Sequence, residues 1–119
     1  MNVISNLLVA AVAFLHFYFL ILEMFLWTKP KGLKVFNQSL ERAKATARLA
    51  ANQGLYNGFL SAGLVWSLFE PLPAQAKALK IFFLSCVVIA GLYGAYSVNK
   101  KILFIQALPA FIGLILVFL

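Results

Sequence analysis

Four long apolar runs constrain this chain more than any other feature: residues 3–27, 49–69, 78–98 and 102–119, the last being the shortest. A hydrocarbon core about 30 Å thick needs about 20 apolar residues to cross as a helix, and each run approaches or exceeds that length. Strands that cross a membrane alternate apolar and polar residues over about 10 positions, and these runs do not alternate. The composition agrees, since 64% of the 119 residues are hydrophobic, where soluble domains hold about 45–50% even with glycine counted. The expected fold is all-α: a single integral membrane domain over residues 1–119, formed by a four-transmembrane-helix bundle. The first run has no Lys or Arg ahead of it and exceeds the roughly 7–15 residues of a signal-peptide core, so it reads as a retained helix.

Ten Lys plus Arg against three Glu give a net charge of +7. A soluble chain so charged would point to nucleic acid, but here the charges sort by loop. Lys29, Lys31, Lys34, Arg42, Lys44 and Arg48 lie between the first two runs, and Lys100 and Lys101 between the last two, leaving only Lys77 and Lys80 on the other side. The positive-inside rule therefore places the first and third loops in the cytoplasm and both termini outside. These cations serve as topology signals and contacts for anionic lipids at the basic first loop, and no nucleic acid is expected. The single cysteine, Cys86, has no partner for an intrachain disulfide and reads as a small apolar residue.

Between the first two runs, Pro30 and Gly32 break the chain, and then Phe36, Leu40, Ala43 and Ala47 recur at helical spacing. This predicts an amphipathic cytoplasmic helix that lies at the interface or extends the second span. Small residues four apart mark close helix packing. Gly54 with Gly58 do so in the second run, and Gly91 with Ala95, joined by Gly94, in the third. In the fourth run Pro109 removes a backbone hydrogen bond and predicts a kink. Trp27, Trp66 and Tyr96 fall near span ends, where aromatic residues anchor helices at the interface.

Polar residues inside such runs need a reason, because an ionisable side chain at hydrocarbon depth costs about 2.5 kcal/mol or more. His16 and Glu23 sit seven residues apart in the first run, nearly on one helix face and about 10 Å apart along the axis. That separation calls for partners from another helix, and Asn52, Gln53, Tyr56, Asn57 and Gln106 can supply them. Read with the topology above, these residues lie toward the cytoplasmic side and form the candidate ligand-binding or proton-binding set. Each also has a plainer reading: Glu23 as the interfacial partner of Lys29 or Lys31, His16 as a structural histidine, and the amides as interhelical glue. Glu70, in the turn between the second and third runs, reads as a solvated residue.

One histidine and one cysteine make no metal cluster, and neither a glycine-rich phosphate loop nor a nucleophile elbow occurs. No cofactor is implied, and no residue is marked as catalytic.

The His, Glu and Trp of the first run, with "NQGLYNGFLSAGLVW", "CVVIAGLYGAYS" and "QALPAFIGL" in the later ones, resemble the DUF1304 family of small membrane proteins. The resemblance covers almost the whole chain. It implies a four-helix integral protein of a bacterial inner membrane, and it maps the family's motif residues onto His16, Glu23, Asn52, Gln53, Tyr56, Asn57 and Gln106 without supplying a substrate.

The leading functional expectation is a polar pocket, built from the first, second and fourth spans, that binds a small amphipathic or lipid-like molecule. Glu23 would accept a proton or hydrogen bond, His16 would orient or relay, and the amides with Tyr56 would hold the ligand. The alternative is a proton-coupled small-molecule transporter that uses Glu23, working as a homodimer. A further alternative is an assembly protein whose polar groups only join helices.

Overall fold

A computed structural model describes residues 3–119, and among these every regular element is helical. The order is α1 (Val3–Met24), α2 (Pro30–Phe36), α3 (Leu40–Phe69), α4 (Pro73–Ser97), a π-helical segment (Leu103–Ala107) and α5 (Leu108–Phe118). Each apolar run read from the sequence lies largely within a helix. Two of these, α1 and α4, are long and apolar enough to cross a membrane by length and composition. Their apolar windows are only 28% and 22% buried within the chain, unlike the central helix of a soluble core.

After α1, the expected extension of the second span is present from Leu40 onward, whereas Phe36 belongs to a separate short helix. Pro30 does not break a helix; it occupies the first turn of α2, where its missing N–H costs nothing. Asn37 then ends α2 in the left-handed conformation, at φ 49° and ψ 57°, a region asparagine tolerates better than most residues. Ser39 begins α3 by accepting a hydrogen bond from the Arg42 N–H at 3.1 Å. Leu40, Ala43 and Ala47 therefore belong to α3, a helix of 30 residues and thus about 45 Å long. Gly32 lies within α2, where a β-carbon would overlap the Leu26 carbonyl, so glycine lets α2 fold back against the end of α1.

The chain divides into two compact units. One comprises residues 1–14 and 60–119, with Val9, Val12, Leu64, Leu84, Val87 and Ala110 at its centre. Ser61 Oγ donates to the Ala13 carbonyl at 2.8 Å, tying α3 to α1 there. A β-carbon on Gly91 would lie 2.7 Å from both the backbone nitrogen and the Cβ of Ala107, so α4 meets the π-helical segment backbone to backbone. Gly94 faces Ile102 in the same contact, and Ala95 is half-buried beside them in sequence.

Ahead of Pro109, where the sequence allows a kink, the chain forms that π segment. Proline at the start of α5 cannot donate to the preceding turn. The ladder widens instead, and the Leu108 N–H reaches back to the Leu103 carbonyl.

The second unit comprises residues 15–59. Here Trp27 Nε1 donates to Thr46 Oγ1 at 3.1 Å, and its ring tilts against Phe36 with centroids 4.8 Å apart. The turn after α1 is thereby held to α2 and to the first part of α3.

Because Gly91 meets backbone, Gly91→Leu should lower stability by about 1–3 kcal/mol, the usual cost of overpacking. Gly94→Ala, which meets only the Ile102 side chain, should cost less than about 1 kcal/mol. Thermal unfolding of both purified variants in one detergent, followed by circular dichroism, checks the contrast.

Candidate functional site

The candidate residues of the 15–59 unit, His16, Glu23, Asn52, Gln53, Tyr56 and Asn57, fall on the C-terminal half of α1 and the middle of α3. These segments come together because Gly54 and Gly58 leave room. A β-carbon on Gly54 would approach Met24 Cγ to 2.8 Å and Glu23 Cβ to 3.0 Å, and one on Gly58 would approach Leu20 Cδ1 to 2.6 Å. The glycine pair thus faces α1 of the same chain.

Between the two glycines in sequence, Asn57 is buried at 5% exposure. Its Nδ2 donates to Glu23 Oε1 at 2.6 Å. The sequence left Glu23 a lysine or an amide as partner, and the structure provides the amide. Asn57 and Glu23 lie 34 residues apart in the chain, so no local pattern could pair them.

His16 is fully buried in α1 and sets its ring edge-on to Phe19, with centroids 5.6 Å apart and planes at 72°. Asn52, Gln53 and Tyr56 are exposed on α3, where the Tyr56 ring lies edge-on to Phe59 at 5.7 Å. Gln106 belongs to the other unit, half-buried in the π-helical segment. Of the seven residues singled out from sequence, Glu23 and Asn57 are joined by a direct bond.

What this pair can do chemically follows from its atoms. An amide N–H donates to a carboxyl group in either protonation state, and Oε2 of Glu23 can still hold a proton or accept from a ligand. Among the described residues, no three His, Cys, Asp or Glu side chains gather as a metal site.

Three polar contacts went unread in the sequence. Thr46 accepts from Trp27, Ser61 ties α3 to α1, and Lys80 Nζ donates to Asn6 Oδ1 at 2.6 Å. Lys80 stands two residues inside the run 78–98 and two helical turns past Pro73, a place that suits a topology marker equally well, so its bond to Asn6 carried no sequence signal. Trp66 and Glu70, expected as an anchor and a solvated turn residue, bond to one another at 3.2 Å.

Asn57→Ala should destabilise the protein by about 1–2 kcal/mol, the cost of removing a hydrogen bond to a carboxyl group between packed helices. Glu23→Gln retains an acceptor for the amide and should cost less. The double variant should cost less than the two single changes summed, which unfolding measurements on all four forms will read as a coupling energy.

Comparison with known proteins bears on the whole chain. Residues 10–118 match the family model described as "Protein of unknown function (DUF1304)". The chain is also 33% identical over 118 residues, 97% of each chain, to the uncharacterized protein YpaA of Lactococcus lactis subsp. lactis (strain IL1403). No solved structure matches it. The chain belongs to the DUF1304 family.

Proposed function

We propose that this protein is a four-span integral membrane protein that binds a small amphipathic or lipid-like molecule at a polar site centred on Glu23. The observation that carries the reading is the Asn57-to-Glu23 hydrogen bond, made where α1 and α3 approach at Gly54 and Gly58. A carboxyl group set among Leu20, Leu22 and Met24 is costly at hydrocarbon depth, and such residues are by default functional.

The four-span assignment, with crossings near residues 3–27, 49–69, 78–98 and 102–119, draws support from large apolar side chains exposed on each of α1, α3, α4 and α5. Phe14, Phe59, Ile89 and Phe111 are 74%, 55%, 67% and 50% exposed. Lipid is the solvent that suits such surfaces. The loop charges then orient the chain in a bacterial inner membrane with both termini outside.

In this reading Glu23 holds a proton or accepts from the ligand, Asn57 fixes the carboxyl, and His16 orients the group from within α1. Tyr56 and the neighbouring amides Asn52 and Gln53 stand at the exposed side of α3, where a ligand arrives. A transporter would use the same carboxyl, with proton and substrate competing for it; an assembly protein would use it only to join helices.

Infrared difference spectroscopy of the protein in nanodiscs tests the proposal. The carboxyl band of Glu23, identified by its loss in Glu23→Gln, should shift when a bacterial polar lipid extract is added, and binding should fall about tenfold or more in that variant. A band unmoved by the extract, with Glu23→Gln folded and unchanged in binding, would leave the glutamate as interhelical glue. Loss of a proton on binding, read with a pH indicator, would favour the transporter.

A further inference from the structure

A second group of polar residues lies wholly in the unit formed by residues 1–14 and 60–119. There a cleft of about 520 Å³ opens beside the turn between α3 and α4. Asn6, Lys77 and Lys80 line it, together with apolar walls that include Leu68, Val117 and Phe118. Lys80 is buried, at 6% exposure, yet its ammonium is bonded to a neutral amide, Asn6 Oδ1, at 2.6 Å. An ammonium has three donors, so this bond uses one of them. Lys77 Nζ stands 5.6 Å from the centre of the Phe118 ring.

The cleft also contains Glu70, the one carboxylate side chain among its lining residues, but its oxygens are engaged elsewhere. Oε1 accepts from Trp66 Nε1 at 3.2 Å and Oε2 from the Leu72 N–H at 3.3 Å. Both lysines therefore line one cleft with no bond to a carboxylate among the described residues. Glu70 offsets part of this positive charge across the cleft, but Lys80, bonded to a neutral amide, keeps donors for an anion supplied from outside.

We infer that this cleft binds a phosphate group, held by Lys80 and Lys77 and carried by a molecule whose apolar part lies against Leu68, Val117 and Phe118. The space exceeds what a bare phosphate fills, and the mixture of two cations with apolar walls matches an anionic head group joined to acyl chains. Asn6 positions the Lys80 ammonium, and Glu70 is held by Trp66 and the Leu72 N–H rather than bonded to either lysine. The site shares no residue with the Glu23 group and stands whether or not that reading does.

Native mass spectrometry of the full chain in a neutral detergent tests the inference, with dioleoylphosphatidylglycerol and dioleoylphosphatidylcholine as probes and inorganic phosphate as competitor. The first phosphatidylglycerol should bind about tenfold more tightly than phosphatidylcholine. Lys80→Met should remove that preference, and the joint change of Lys29, Lys31 and Lys34 to Gln should preserve it. Should Lys80→Met fail to fold, by gel filtration and circular dichroism, Lys77→Gln decides, since Lys77 is exposed; it should weaken the first binding step about threefold or more. Competition by inorganic phosphate would mean that the site takes free phosphate too, and its absence would mean that the lipid is required. Equal affinity for the two lipids, or a preference unchanged in the lysine variants, would overturn the inference.

Discussion

Within each unit, helices meet where a β-carbon would not fit. At Gly54 and Gly58 the space is taken by Leu20, Glu23 and Met24 of α1; at Gly91 it is taken by the backbone of Ala107. This closeness is what the remaining contacts need. Asn is a short side chain, and Asn57 can reach Glu23 across a helix pair at 2.6 Å only where the helices approach this nearly. Small residues that bring backbones close maximise packing between helices, and a few hydrogen bonds then fix which faces meet. The glycines and the Asn57–Glu23 bond are thus one device, in which packing sets the distance and the polar pair sets the register.

Much of the helical plan was legible. Long apolar runs that do not alternate read as helices, because a helix satisfies its backbone hydrogen bonds within its own segment. The consequence of Pro109 was legible too, although its form was not: a wider turn ending at Leu108 accommodates the missing donor, and periodicity alone does not separate that from a simple kink. The extension of the second span down to Leu40 was legible, but Phe36 was not separable from it, because the apolar spacing of Phe36, Leu40, Ala43 and Ala47 passes unbroken through a real boundary. The boundary is marked by Asn37 and Ser39, whose capping chemistry outweighs the periodic signal.

The candidate site was legible as a set of residue types and not as an arrangement. Glu23 stood out because a carboxyl group in an apolar run requires a partner, and Asn57 was among the five partners considered. Asn52 and Gln53 were indistinguishable from it in sequence, yet they are exposed whereas Asn57 is buried. The difference lies in which side of α3 turns toward α1, and the glycine pair determines it. Lys80 and Asn6 show the same limit: counted as charge and polarity along the chain, one reads as a topology signal and the other passes unnoticed, whereas in space they are bonded.

The sequence by itself determined that the chain is helical and where its long helices run. It also determined that the chain carries more apolar surface than it can hide, and that its family is DUF1304, since these follow from local composition, spacing and motif. The tertiary structure decided which amide meets Glu23, that the Gly54–Gly58 pair packs within the chain, and that Lys80 and Lys77 share a cleft. Those outcomes depend on residues tens of positions apart, and only the packing of one helix on another brings such residues within the few ångströms over which hydrogen bonds and charges act.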